Sequence, residues 1–299
     1  MSGASERPKS YFIAGQGLDA PPLAAGLYVV STPIGNLRDI TLRALETLAG
    51  ADLVLCEDTR LSARLLDHYG IRTPRRALHE HNERARIEPL LATLAEGRAL
   101  ALISDAGTPL LSDPGFPLVR AVREAGLPVF AVPGASALLA GLAVAGLPTD
   151  AFLFAGFLPA KAGARDKAIA ALAGQRETLI FYESPRRLAA TLAALAEGLG
   201  SQREAAVALE LTKRFERVER GTLAALAAHF AADETRGEAV ILVAGGDGPA
   251  EPAAADWQAA LAAAMESQPL RAAVDEVSRR FGLKRKEVYD AALALKAGS

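Results

Sequence analysis

The chain has 299 residues, 51% of them hydrophobic, and its charges nearly cancel to a net −2. That balance excludes a disordered chain and a protein dominated by non-specific attraction to nucleic acid, while leaving room for a local basic face. The length accommodates two domains and a small appendage. A single cysteine, Cys56, excludes an intramolecular disulfide framework, and at the end of an apolar strand pattern it reads as a buried, inert thiol. MSGASERPKS lacks the apolar stretch of a secretory signal. The longest apolar run, around residues 134–147, is too short and too broken by glycine to span a membrane. The expectation is a cytoplasmic protein with no membrane partner.

Residues 1–24, rich in Gly, Ser, Pro and Ala, are expected to form a flexible leader. From Leu27 onward short apolar strands alternate with helical patterns. Strands are expected at 27–31, 52–56, 99–104 and 128–132, with helices at 38–49, 60–69, 82–96, 116–125 and 135–146. This pattern predicts an α/β domain over 25–148, built on a mostly parallel sheet covered on both faces. GLPTDA at 146–151 marks a boundary. A second α/β domain is expected over 149–246, with strands at 152–157, 178–182, 205–210, 215–221 and 239–245 and some antiparallel pairing. GGDGPAEPAAA at 245–255 has linker composition, and 256–297 reads as helices only. In that tail Leu270, Val274, Val277 and Phe281 share one face, Gly282 turns the chain, and Val288, Tyr289, Ala292 and Leu295 continue on a second helix. It is either a helix-turn-helix or a plain helical hairpin. Arg279, Arg280, Lys284, Arg285 and Lys286 give it the most basic local surface, suited to phosphates.

The chemistry-bearing residues collect where these strands end, which is where open α/β sheets bind ligands. SDAGTPLLSDPG at 104–115 is longer and more polar than a strand-to-helix turn requires. Asp105 and Gly107 read as its working residues, and Asp113 and Gly115 as the capped start of the next helix. STPIGNLRDIT at 31–41 is a capped turn or a ligand loop, since neither GxGxxG nor a phosphate-loop lysine is present. VPGASA at 132–137 is a third small-residue loop. CEDTR at 56–60 offers a salt-bridged helix start or a proton-accepting carboxylate. His79 and His81 lie two apart without a third ligand at zinc-type spacing, so no metal is expected. In the second half Glu183, Glu210 and Lys213 are candidates for a facing wall, and Arg186, Arg187 and Arg214 for phosphate contacts; each also reads as a solvated helix start.

LYVVSTPIGNLRDIT, EDTR, LHEHNE, ALISDAGTPLLSDPG, VPGASA, AGLP, GFLPAK, TLIFYESPRRL and ELTKRFE cover most of residues 27–245. Together they resemble the tetrapyrrole-methylase superfamily of S-adenosylmethionine-dependent methyltransferases, and within it the branch that modifies small-subunit ribosomal RNA. The resemblance implies two α/β domains enclosing S-adenosyl-L-methionine in a cleft, usually in a homodimer. It also implies 2′-O-methylation of a cytidine ribose in 16S rRNA, or in the small ribosomal subunit, at the decoding centre. Porphyrinoid-modifying relatives carry more glycines where this chain has PIGN, which argues against a tetrapyrrole substrate. The alternatives are a small-molecule methylase using the same cleft and a non-catalytic RNA-binding assembly protein. Carried onto this sequence, the resemblance places the cofactor against Pro33, Ile34, Gly35 and Asn36; Asp105, Ala106, Gly107 and Thr108; and Pro133, Gly134 and Ala135. Asp58 becomes the candidate base or orienter, with Arg60 or Lys213 as electrostatic partner. Arg64, Arg75, Arg76, Lys161, Arg165 and Arg214 are expected to meet RNA phosphates, beside Glu183 in the substrate wall.

Overall fold

The structure, a computed structural model, describes residues 9–232, 237–246 and 254–297. The chain divides into two compact units, Met1–Leu172 with Glu177–Gly246, and Ala173–Arg176 with Asp247–Ser299.

The first unit begins with β1 (Ser10–Ile13), β2 (Gln16–Asp19), β3 (Gly26–Val30), α1 (Leu42–Gly50), β4 (Leu53–Cys56) and α2 (Thr59–His68). There follow β5 (Arg75–Ala77), α3 (Glu83–Ala95), β6 (Ala99–Leu102), α4 (Phe116–Glu124), β7 (Val129–Val132) and α5 (Ala137–Ala145). These strands build a sheet of order β5-β4-β6-β3-β7, parallel throughout. β6, reading ALAL, is buried along its whole length because both faces are covered. Ala101 and Ile103 face α1 and α2, while Leu100 and Leu102 face Leu90 and Leu94 of α3 and Leu118 and Val122 of α4. β5 was not expected; three residues reading RRA on an exposed edge carry no apolar pattern.

The leader is the main correction in this half. Residues 10–19 form an antiparallel hairpin turning at Ala14 and Gly15, both with positive φ (50° and 82°). Tyr11 is buried in the first core, the Phe12 N–H donates to the Tyr69 carbonyl at 2.8 Å, and Lys9 Nζ reaches the Gly50 carbonyl and Asp52. Residues 1–8 of the expected leader lie outside the described residues.

The second half contains β8 (Phe152–Phe157), α6 (Ala162–Leu172), β9 (Thr178–Glu183), α7 (Leu188–Leu199), β10 (Glu204–Leu209), β11 (Arg217–Thr222), α8 (Leu223–Ala232) and β12 (Ala239–Val243). Its sheet runs β11-β10-β12-β9-β8, parallel only between β8 and β9. The expected boundary at 146–151 falls between the sheets, where Gly146 ends α5 in the left-handed conformation. The halves nevertheless share a core. α5 reads ALLAGLAVA: Leu138, Gly141, Leu142 and Ala145 form its buried face against the second sheet, while Leu139 and Val144 stay exposed. Its Leu138, Leu142 and Ala145 pack with Ile180, Ala206, Ala208, Val240 and Leu242. A Cβ on Gly141 would sit 3.2 Å from Val240 Cγ1, so the missing side chain lets helix and sheet close up.

The second unit holds α9 (Ala254–Ser267), α10 (Leu270–Phe281) and α11 (Arg285–Ala297). Trp257, Leu261, Val274, Val277, Val288 and Ala292 form its core, and Gly282 turns between α10 and α11 in the left-handed conformation. Leu295, expected on the apolar face, is exposed. Residues 247–253 of the expected linker lie outside the described residues. Among the described residues no helix is long and apolar enough to cross a membrane.

Candidate functional site

Three loops at the carboxyl end of the parallel sheet are joined into one surface. The Thr32 N–H donates to the Gly107 carbonyl at 2.8 Å and the Gly107 N–H returns a bond to the Thr32 carbonyl at 3.1 Å. The hydroxyls of Ser31 and Thr108 lie 2.9 Å apart, and Thr108 donates on to the Ala135 carbonyl at 3.2 Å. Gly107 adopts φ +81°, and a Cβ there would approach Ile34 Cγ2 to 3.2 Å. The loop between β6 and α4 then bends through positive φ at Leu110 (76°) and Ser112 (70°). A side chain in that region costs about 1–2 kcal/mol. The conformation is held from outside, in part where Ser112 rests on Gly156 at the irregularity in β8.

Between this surface and the second sheet lies a cavity of about 360 Å³. Ile34, Leu111, Ala137 and Val240 give it an apolar floor, and Asp105 and Asp113 stand on the loop side. Phe157, Tyr182 and Ser184 face them from the second half. Tyr182 Oη accepts the Leu138 N–H at 3.1 Å, and burial raises its pKa. Asp113 corrects the sequence reading. It is half-buried in the cavity wall, while Gly115 is the residue before α4 and the Leu118 N–H of that helix is taken by the buried Glu83 carboxylate at 3.1 Å. Burial, reinforced by the charges of Glu57 and Asp105 and opposed by the Ser104 hydroxyl, pushes Asp113 up to about 6. The sequence carried no signal against that reading, because an aspartate followed by Pro114 is also what an N-cap with proline at the first helical position looks like.

Of the expected cofactor residues, Ile34, Asp105, Ala106, Gly107 and Thr108 line the cavity. Pro33, Gly35, Asn36, Pro133, Gly134 and Ala135 do not; they build the loops behind it. Asn36 caps the short turn Leu37–Asp39 by accepting the Arg38 N–H, and Gly134 lets its loop approach Ser31, where a Cβ would stand 3.0 Å from the Ser31 Cβ. Gly35 has a different partner. A Cβ there would fall 2.5 Å from Lys213 Cγ, so the lysine stem crosses the first loop while Nζ pairs with Glu210 at 3.0 Å and Glu238 at 3.1 Å. Neither Lys213 nor Glu210 lines the cavity; they meet its wall through Glu238, on a loop strained by positive φ at Glu210 and Thr212.

Asp58 and Arg60 depart from expectation. Asp58 caps α2, accepting the Arg60 N–H at 2.7 Å, and pairs with the exposed guanidinium at 2.9 Å. Those bonds from Arg60 hold its carboxyl down at about 2, which makes a weak base, and neither residue lines the cavity. Glu183 touches the cavity but its carboxylate, 1% exposed, is spent on the Ser184 N–H, the Thr191 hydroxyl and Arg187. Arg165 is turned inward, with 15% of its side chain exposed, and so is poorly placed for phosphate. Arg64, Arg75, Arg76, Lys161 and Arg214 are exposed as expected, Arg214 over the ring of the exposed Phe215.

A family model described as Tetrapyrrole (Corrin/Porphyrin) Methylases matches residues 26–227, and one described as RsmI C-terminal HTH domain matches residues 251–296. A ribosomal RNA small subunit methyltransferase I of Mesorhizobium japonicum is 52% identical, covering 93% of this chain and 95% of the relative. That of Escherichia coli O157:H7 is 45% identical over 89% of this chain and 94% of its own length. The chain belongs to the ribosomal RNA small subunit methyltransferase I family. As a member of that family it is an enzyme, a methyltransferase, and its fold is that of the tetrapyrrole methylases. The methyltransferase CobJ superposes with TM-score 0.57 at 20% identity, over 74% of this chain and 95% of that one. Uroporphyrin-III C-methyltransferase from Thermus thermophilus, complexed with S-adenyl homocysteine, superposes with TM-score 0.52 at 21% identity, over 73% and 97%.

Proposed function

We propose that this methyltransferase uses S-adenosyl-L-methionine to methylate the ribose 2′-hydroxyl of a cytidine in 16S rRNA at the decoding centre, acting as a cytoplasmic homodimer. The observation that carries the cofactor assignment is the cavity. An apolar floor beside Asp105 suits an amphipathic cation, and its volume of about 360 Å³ falls within the range of small-ligand sites. Two further points support it: a structure of the same fold holds S-adenyl homocysteine, and relatives along nearly the whole chain are small-subunit rRNA methyltransferases. The cytidine ribose and its place in the rRNA are carried by the PIGN, EDTR and SDAGTPLLSDPG segments.

The bound donor supplies an electrophilic methyl group on a sulfonium sulfur. The chain's own work is positioning. Gly107 brings backbone close to the ligand, Asp105 sets a carboxylate opposite a positive charge, and Ile34, Leu111 and Val240 exclude water. Aligning two reactants in this way is worth roughly 7–11 kcal/mol of barrier. Exposed Arg64, Arg75, Arg76, Lys161 and Arg214 supply phosphate contacts.

Labelled methyl transfer to naked RNA, to assembled small subunits and to a porphyrinogen, followed by mapping of 2′-O-methyl groups, tests the reading. New 2′-O-methylation at one cytidine of the small-subunit RNA is expected; label confined to the porphyrinogen overturns it. Asp105→Ala should weaken donor binding at least tenfold by calorimetry, and unchanged affinity would displace the donor from this cavity.

A further inference from the structure

A ribose hydroxyl attacks readily only if its proton has somewhere to go. Most carboxylates around the cavity are already engaged. Glu183 is held by Ser184, Thr191 and Arg187, Glu238 pairs with Lys213, and Asp105 Oδ1 accepts the Asp58 N–H at 3.1 Å. Asp58 is held by Arg60. Asp113 differs from all of these. It stands in the cavity wall on the strained loop, makes no ion pair among the described residues, and is relieved of any helix-capping role by Glu83. The groups around it are Ser104 and Asp105 of its own loop, Glu57 after β4, and Tyr182 of β9. Glu80, Glu83 and Arg84 lie across an adjoining hollow. Among these Arg84 is the one cation, so the surroundings are electronegative.

We propose that the Asp113 carboxylate accepts the proton of the attacking ribose hydroxyl, an inference that rests on the reading above. The proton passes from the hydroxyl oxygen to a carboxylate oxygen, and the pair it leaves forms the new oxygen–carbon bond. The carbon–sulfur pair stays on sulfur, which leaves as a neutral thioether. The environment of Asp113 suits that role, since an acidity near 6 leaves it ionised at neutral pH yet more basic than an ordinary aspartate.

The test uses the full chain. In the protein without donor, ¹³C-carboxyl titration should show one aspartate with a midpoint near 6 that is missing in Asp113→Asn. With saturating donor and small subunits, the single-turnover rate of the wild type should fall tenfold per pH unit below the Asp113 midpoint of that complex, which the sulfonium charge lowers from the donor-free value. Asp113→Asn should be at least 100-fold slower and lose that limb while its donor affinity, by calorimetry, stays within threefold. Asp113→Glu, which keeps a carboxylate, should recover part of the rate. A variant with wild-type rate and pH profile overturns the proposal, as does one whose defect vanishes when donor is raised. Wild-type protein that methylates the RNA base and not the ribose refutes the underlying reading instead.

Discussion

Asp58 and Asp113 are two loop carboxylates with opposite fates, decided by what surrounds each. Asp58 is met by an N–H and a guanidinium and is held near 2; Asp113 is met by burial and other carboxylates and is held near 6. Asp58→Asn keeps a capping oxygen, so turnover should stay within threefold of wild type; a loss of 100-fold would return Asp58 to the mechanism. Asp113→Asn should act on stability in a way that depends on pH. The folded pKa of Asp113 lies above its unfolded value, so folding favours the protonated carboxyl, and that contribution is lost as pH rises through about 6. The variant should therefore melt above wild type at pH 8, with the gap closing below about pH 4, the ordinary aspartate range. Equal melting temperatures at pH 8 would show that burial of the charge is not felt.

At the scale of elements, the chain uses polar groups to fasten what packing alone would leave loose. The β1–β2 hairpin is tied to the first sheet at Asp52, which meets Lys9 Nζ at 3.0 Å and Arg98 at 3.6 Å and accepts the Ala99 N–H at 2.9 Å. Burial raises the Asp52 pKa, but the Ala99 N–H and the two cations outweigh it and the net shift is downward. Its stabilisation is thus present above the ordinary aspartate range and lost as pH falls through the lowered folded value. Asp52→Asn should lower the melting temperature at pH 7, by an amount that shrinks toward pH 3. Hydrogen exchange should show the amides of residues 10–19 opening faster; an unchanged exchange pattern would mean that Tyr11 packing holds the hairpin alone.

For the whole molecule, the shared core under α5 makes the cavity a property of both sheets, with its donor-side loops on one and its facing wall on the other. The helical unit has its own core, and Arg279, Arg280, Lys284 and Lys286 are exposed on it. Removing residues 254–297 should raise the apparent KM for small subunits about tenfold and flatten its salt dependence, because released counterions follow phosphate contacts. The kcat should change little. An unchanged KM with a lower melting temperature would make that unit purely structural.

Much of the fold was legible in the sequence because its determinants are local. Uninterrupted apolar runs such as ALAL and AVILV specify strands covered on both faces, and the small-residue loops after the parallel strands mark the ligand-binding end of the first sheet. The edge strand RRA was not legible because its pairing comes from β4. The hairpin at 10–19, which pairs only with itself, was not legible because Tyr69, Gly50 and Asp52, distant in the chain, hold it in place. The site divides in the same way. Asp105 and Gly107 declare themselves by loop composition. Whether Asp58 or Asp113 faces the cavity depends on Arg60, Glu57 and Glu83, and the place of Lys213 depends on a glycine 178 positions earlier, Gly35. Sequence alone determined the family, the strands and the loops that hold the site. Only the tertiary structure decided which carboxylate is free to act, because a pKa is set by burial and by charges that folding brings together.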